Sequence, residues 1–157
     1  MADAIELFLD NVAKQLESKQ VKVGFVDGAT YPDGTSVAEV AAYNEYGVPQ
    51  ERQPPRPFFR NAIAMHEKEW SEAVGRGIRA GYPVAQVLEL IGAKIQGDVQ
   101  ESIATLLEPP LSPVTLHIRR TRKERPTEST KPLVDSKVMI GDVNYEVADI
   151  EPSQDSQ

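Results

Sequence analysis

Apolar residues recur at three- and four-residue spacing in three stretches of the chain, 3–18, 57–80 and 83–107. This spacing predicts helices that each bury one face. The last two stretches are separated only by Gly81-Tyr82-Pro83, so they are expected to form two long antiparallel helices. The apolar face of the N-terminal helix must pack on something, and it is formed by Ile5, Phe8, Leu9, Val12, Ala13 and Leu16.

Two shorter segments alternate between apolar and polar residues, which predicts strands with one buried face. The first contains Val21, Val23 and Phe25, and the second contains Val143, Tyr145 and Val147. Two strands do not make an independently stable sheet. Further strands are therefore expected from the loops or from neighbouring subunits, which is a first indication of oligomerisation.

These elements predict an α+β fold in one domain spanning residues 1–150. A small twisted, mainly antiparallel sheet, including 20–27 and 143–150, would pack against the N-terminal helix and the two long helices. Between the strands, Ser36 can cap a short helix that ends at Gly47.

The C-terminal third is less regular. A proline-rich, basic arm is expected at about 108–132, with a short helix at 113–118 inside it. A short capped helix is expected at 133–140, and the polar residues 151–157 are expected to be a disordered tail.

Composition narrows the class of protein. The 17 basic and 24 acidic residues give a net charge of −7, which disfavours general attraction to nucleic acid or anionic lipid. The chain has no cysteine, which excludes disulfides and thiolate chemistry. No run approaches the roughly 20 apolar residues of a membrane span, and the N-terminus does not resemble an export signal. A soluble protein without a membrane partner is expected, and the absence of cysteine fits a reducing cytoplasm.

Motifs for catalysis or metal binding are weak. The loop from Asp27 to Asp33 lacks the alternating oxygen ligands of a calcium loop, and it is interpreted as a turn. His66 and His117 have no local partners at metal-ligand spacing, so both are interpreted as ordinary helix or surface residues. No nucleophile elbow or phosphate-binding loop is present. The sequence therefore predicts no enzyme, no cofactor and no metal.

The stretch Pro54-Pro55-Arg56-Pro57-Phe58-Phe59-Arg60 is better suited to docking than to a reaction. Adjacent helical residues point about 100° apart, so one phenylalanine can enter the core while the other faces another surface. Aromatic and arginine side chains dominate binding hot spots, although burial of both rings is equally compatible with the sequence. The candidate interface residues are Tyr31, Arg56, Phe58, Phe59 and Arg60.

Five basic residues cluster in the arm, and they could contact DNA or an acidic partner, or simply be a solvated charge run. No aromatic residue is interleaved with them, which argues against recognition of bases. The five are Arg119, Arg120, Arg122, Lys123 and Arg125.

Several motifs, in this order, resemble the tail-completion and neck proteins of long-tailed bacteriophages. The resemblance covers roughly residues 20–148, and it departs from the family in the basic insertion at 119–130 and in Ser136-Lys137. The motifs are Val23-Gly24-Phe25, Gly28-Ala29-Thr30-Tyr31-Pro32-Asp33-Gly34-Thr35, Val37-Ala38-Glu39-Val40-Ala41-Ala42-Tyr43-Asn44-Glu45-Tyr46-Gly47, Pro55-Arg56-Pro57-Phe58-Phe59-Arg60, Pro109-Pro110-Leu111-Ser112-Pro113 and Lys131-Pro132-Leu133-Val134-Asp135-Ser136.

The resemblance implies a structural virion protein without catalytic residues. Such proteins form a homo-oligomeric ring, most often a hexamer, that caps the tail tube and joins the tail to the head connector. The implied partners are the tail-tube protein and the connector proteins. The alternative is a head-side adaptor that contacts genomic DNA through residues 119–125. A hydrolase has only scattered carboxylates in its favour.

Overall fold

The structure is a computed structural model that describes residues 3–106, 111, 113–121, 123 and 138–150. The fold is α+β, with helices packed against a two-stranded antiparallel sheet, as the sequence predicts. The elements in chain order are α1 (Asp3–Ser18), β1 (Lys19–Phe25), α2 (Val37–Tyr46), a 3-10 turn (Pro49–Glu51), α3 (Phe58–Arg79), α4 (Val84–Thr105), α5 (Pro113–Thr121), α6 (Val138–Gly141) and β2 (Val143–Asp149).

The two long helices begin one residue later than the sequence predicts, because each proline caps its helix. The Pro83 carbonyl accepts from the Val87 N–H at 3.0 Å, and Pro57 does the same for Asn61 at 2.8 Å. Proline at this position costs the helix no hydrogen bond, because the N–H of any residue there would have no acceptor inside the helix.

The end of α3 is a Schellman motif. Gly81 has φ 86°, the Tyr82 N–H donates to the Gly77 carbonyl and the Gly81 N–H donates to the Ile78 carbonyl. The helix break predicted at Gly81 is therefore a regular C-terminal cap of α3.

The sheet pairs β1 with β2. Its two ends are flanked by hydrogen bonds from the Val26 N–H to the Asp142 carbonyl and from the Ile150 N–H to the Ser18 carbonyl. In the part of the chain that the structure describes, these are the only two strands, and two isolated antiparallel bridges lie in the loops, Thr30 with Ser36 and Val48 with Gln53. A two-stranded sheet needs helical packing to be stable.

The residues fall into two compact units. One unit comprises Met1–Val23, Lys68–Ile95 and Tyr145–Gln157, and the other comprises Gly24–Glu67 and Gln96–Asn144. We call them the first and the second unit.

The first unit has a core on α4, centred on Val84, Leu88 and Ile91. Glycines allow the close packing around it. A Cβ added to Gly77 would lie 2.8 Å from Val87 Cγ2, and one added to Gly92 would lie 2.4 Å from Tyr145 Cδ2. The partly buried residues packed against this core are Val12, Val21, Trp70, Ala73, Val74, Ile95 and Val147.

The apolar face of α1 is largely uncovered, although the sequence requires it to pack on something. The helix has no buried residue, and Val12 is the member of the face that packs against the core of the first unit. The exposed fractions are 67% for Ile5, 50% for Phe8, 57% for Leu9 and 39% for Leu16.

The second unit buries residues from several elements, and among its described residues Phe58 and Ile103 are the largest fully buried side chains. The start of β2 is hydrogen-bonded to α4 in this unit, since Gln96 Nε2 donates to the Val143 carbonyl at 2.7 Å. Gln100 Nε2 likewise donates to the carbonyl of Ile140 in α6 at 3.1 Å. The other apolar residues buried here are Val37, Ala41, Ala62, Val99, Leu106, Met139 and Val143.

The short helix predicted at 113–118 is present as α5, which continues to Thr121. Of the helix predicted at 133–140, the described part is α6, which begins at Val138. Residues 133–137 and the predicted tail 151–157 lie outside the described residues, as does much of the predicted arm. The prediction of a single domain stays a prediction.

Candidate assembly surface

The predicted docking stretch lies at the junction between α2 and α3, which we define as residues 43–60. The helix α2 begins as predicted, since Ser36 Oγ accepts from the Glu39 N–H at 3.3 Å. It ends at Gly47, whose φ of 75° and ψ of 171° favour glycine. A Cβ at this position would lie 2.8 Å from both Gln53 O and Pro55 N, so the turn has no room for any side chain here.

A tight loop follows Gly47. The backbones of Val48 and Gln53 exchange hydrogen bonds of 2.9 and 3.1 Å around the 3-10 turn. Arg52 closes that turn in the left-handed conformation, with φ 55° and ψ 27°. A non-glycine residue pays roughly 1 kcal/mol or more for this geometry, so the loop holds a small amount of strain.

Three of the last carbonyls of α2 accept hydrogen bonds within the junction. Tyr43 O accepts from the Gly47 N–H at 2.8 Å and from Gln53 Nε2 at 3.3 Å. Asn44 O accepts from the Arg56 N–H, and Glu45 O accepts from Arg60 Nη2. These carbonyls have no partner inside their own helix, so the following segment satisfies them.

The first N–H groups of α3 are satisfied in return by α2. The Glu45 carboxylate accepts from the Phe59 N–H at 3.0 Å and from the Arg60 N–H at 3.1 Å. The Phe58 N–H donates to the Arg56 carbonyl at 2.9 Å. A carboxylate at a helix N-terminus also interacts favourably with the helix dipole. Each helix therefore caps the other.

Arg60 completes the capping. Its Nε donates to Glu45 Oε1 at 3.0 Å, and its guanidinium carbon lies 5.3 Å from the centre of the Tyr46 ring. The Glu45 side chain is 8% exposed and that of Arg60 is 56% exposed. The buried carboxylate thus has three N–H donors, and the cation that balances it reaches solvent.

Three phenylalanine rings pack beneath this cap. Phe25 from β1 meets Phe58 and Phe59 edge-on, with both pairs of ring centres 6.1 Å apart, and the centres of Phe58 and Phe59 are 5.1 Å apart. Such pairs contribute about 0.5–1.5 kcal/mol beyond the area they bury. Ser102 Oγ donates to the Phe58 carbonyl at 2.7 Å and fixes the start of α3 against α4.

Burial corrects part of the predicted interface. Phe58 has no exposed surface and Arg56 is only 7% exposed, so neither side chain is available to a neighbouring subunit. Phe59 is half-buried and Arg60 is more open, but both take part in the internal contacts. The docking motif is therefore mainly a helix junction.

Tyr31 lies in the loop between β1 and α2 and is half-buried. Its N–H donates to the Thr35 carbonyl at 2.8 Å, and its carbonyl accepts from the Gly34 N–H at 2.9 Å. At the tip, the Thr35 N–H donates to Asp33 Oδ1 at 2.9 Å, and this bond, with a further one from the Thr35 side chain, lowers the pKa of the Asp33 carboxyl. The turn predicted at 31–35 is thus held by its own hydrogen bonds.

The basic arm is described in part. Arg119 and Arg120 lie in α5, and Arg120 and Lys123 are exposed. Arg122 and Arg125 lie outside the described residues. A contact of this arm with DNA or with an acidic partner stays a prediction.

Sequence reasoning missed a groove in the second unit. It encloses about 340 Å³ between the first half of α3 and the second half of α4. His66 Nδ1 lies 3.9 Å from Asp98 Oδ2, which pairs the histidine with an acid from the other helix. Ala62 and Leu106 supply the buried apolar lining, and the Glu101 carboxylate belongs to an exposed residue.

Two sequence signals could have revealed these features. Glu45 stands in the last turn of α2, where the helix dipole disfavours a carboxylate, and this suggests a partner elsewhere. Asp98 and Ser102 interrupt the apolar spacing between Ile95, Val99 and Ile103. Acidic and hydroxyl residues on the buried face of a helix indicate a polar contact or a groove.

Comparisons of the chain with protein-family models, curated proteins and solved structures find no match. Among the described helices, none combines the length and apolarity needed to cross a bilayer. No group of three or more His, Cys, Asp or Glu residues suited to a metal ion occurs within the described ranges.

Proposed function

We propose that this chain is a structural virion protein, a ring subunit of the tail-completion and neck class of long-tailed bacteriophages. In this role it caps the tail tube and joins the tail to the head connector. The ordered sequence motifs from Val23 to Ser136 support the class. The observation that carries the oligomeric part of the proposal is the uncovered apolar face of α1.

Uncovered apolar surface is costly in water, at about 25 cal/mol for each Å² that a contact would remove. Four large apolar side chains along α1 are 39–67% exposed, and they lie on one helical face. Contiguous apolar surface of this kind marks interaction sites in proteins.

The experiment is negative-stain imaging of the purified protein, alone and mixed with tail tubes. The proposal expects closed rings with a fixed symmetry, and rings at one end of the tubes in the mixture. A protein that stays monomeric at all concentrations and ignores the tubes would overturn it. A ring that leaves the ends of the tubes bare would overturn the role of tail cap and favour a position on the head side of the neck.

The second candidate is the DNA-contacting adaptor, favoured by the exposed Arg120 and Lys123 at the end of α5. Binding to phosphates would weaken with salt, with a slope of about −0.9 per neutralised charge in a plot of log affinity against log salt. Absence of a salt-dependent signal for the wild-type protein would eliminate this candidate.

A further inference from the structure

The groove of the second unit has the chemistry to receive a basic side chain. Its lining includes Ala62 and Leu106, which are 2% and 7% exposed, and the carboxylates of Asp98 and Glu101. A lysine or arginine side chain has an apolar stem and a cationic head, so one such side chain can use both parts of the lining. Hydrogen bonds between a cation and a carboxylate are among the stronger ones in proteins.

The two carboxylates differ in their exposure and in the partners that lie beside them. Asp98 is 9% exposed and lies beside His66. Glu101 is exposed, and among the described residues its carboxylate makes no ion pair, since only its backbone carbonyl accepts, from Thr105 Oγ1 at 2.8 Å. Glu101 is thus the carboxylate available to an incoming cation.

The same chain also carries exposed cations in the last turn of α5 and just after it. Lys123 is exposed and, among the described residues, makes no ion pair. Arg120, in the last turn of α5, is also exposed. We call these two residues, one in the last turn of α5 and one two positions after the helix, the basic end of α5. The chain therefore carries both an acidic groove and a basic end that complement each other in charge.

We propose that the basic end of α5 of one copy enters the groove of the next copy, so that Lys123 meets Glu101. The inference rests on the proposed function of a ring subunit and names one of its contacts. A ring requires a heterologous interface, in which two different surfaces of the subunit meet. Each copy has a net charge of −7, so copies repel one another in general, and a local contact of opposite charge offsets that repulsion.

The test uses two charge reversals, Glu101→Lys and Lys123→Glu, in the full chain. Each variant alone brings like charges together at every contact between copies, and we expect its association to weaken about ten-fold, measured as mass by light scattering against concentration. An equal mixture of the two variants restores opposite charges at every contact of an alternating ring. We therefore expect the mixture to assemble as the wild type does.

Matched controls are Glu89→Lys, on an exposed position of α4 outside the groove, and Lys68→Glu, on an exposed position of α3. We expect both to assemble like the wild type. Circular dichroism melts of all variants show whether a loss of mass reflects unfolding. In that case the conservative pair Glu101→Gln and Lys123→Gln replaces the reversals, with a smaller expected loss for each.

The outcomes separate this inference from the proposed function. A wild-type monomer overturns the ring itself. A wild-type ring that neither reversal weakens overturns only the contact. A chain that carries both Glu101→Lys and Lys123→Glu is the last variant. If this chain assembles normally and the mixture does not, the basic end lies in the groove of its own chain, which also overturns the contact. Unchanged assembly with a loss of DNA binding in Lys123→Glu assigns the basic end to DNA.

Discussion

The α2–α3 junction is more buried than its sequence suggests, and helix α1 is more exposed than its sequence suggests. The junction carries the aromatic and arginine residues typical of a binding surface, yet Arg56 and Phe58 are buried and Arg60 binds Glu45 within the second unit. Helix α1 has the spacing of an ordinary packing helix, yet most of its apolar face is exposed. Residue types typical of hot spots therefore do not identify an interface unless the structure leaves them exposed.

The physical reason lies in the helix ends. The α2–α3 junction must satisfy the carbonyls of one helix and the N–H groups of the next within a few residues, and unsatisfied buried groups each cost about 1–3 kcal/mol. Glu45 and Arg60 meet this requirement with charged groups. The apolar side chains of α1 have no polar groups that need partners, and most of them remain exposed.

The largest expected effect is on Phe58. Phe58→Ala removes a fully buried ring from the three-phenylalanine cluster, and we expect the free energy of unfolding to fall by about 3–5 kcal/mol. The control is Ile63→Ala on the same helix, where a side chain that is 44% exposed should cost about 1 kcal/mol or less. Urea denaturation measures both. A Phe58→Ala protein of normal stability that fails to assemble would instead make Phe58 an interface residue.

The second effect concerns the shared cap. Glu45→Ala leaves the Phe59 and Arg60 N–H groups without their acceptor, and we expect a loss of about 2–3 kcal/mol. Glu51→Ala, in the exposed 3-10 turn, is the control and should change stability by less than about 0.5 kcal/mol. Equal small losses in the two variants would show that the cap is dispensable.

The smallest effect is a gain. Arg52→Gly relieves a left-handed backbone at an exposed position, and we expect the unfolding free energy to rise by about 0.5–1 kcal/mol. Gln50→Gly, two residues earlier at an exposed position without positive φ, should instead lower it by about 0.5 kcal/mol. If both variants were destabilised alike, the loop would not be strained at Arg52.

Local features of the fold could be predicted from the sequence because they depend on neighbours along the chain. The cap at Ser36, the stop at Gly47 and the break at Gly81 all follow from residue preferences at helix ends. Both strands and the long helices follow from apolar spacing, with bounds that differ by one or two residues.

The site could be predicted only in part, because its contacts join residues that are distant in sequence. The burial of Arg56 and the cap that Glu45 gives to α3 depend on how the loop between the helices folds. The groove depends on the approach of two helices that bring His66 to Asp98. Spacing within one helix indicates which residues share a face, but not what that face meets.

The central claim is that the exposed face of α1 serves assembly, and the mass of an α1 variant tests it most directly. The double variant Ile5→Ser with Leu9→Ser removes two side chains that are 67% and 57% exposed, and Glu6→Ser with Asp10→Ser is the matched control on polar positions of the same helix. Light scattering should give a mass several-fold above the 17.3 kDa of one chain for the wild type and the control, and a single-chain mass for the double variant. A wild-type monomer, or a double variant that assembles normally, would contradict the account.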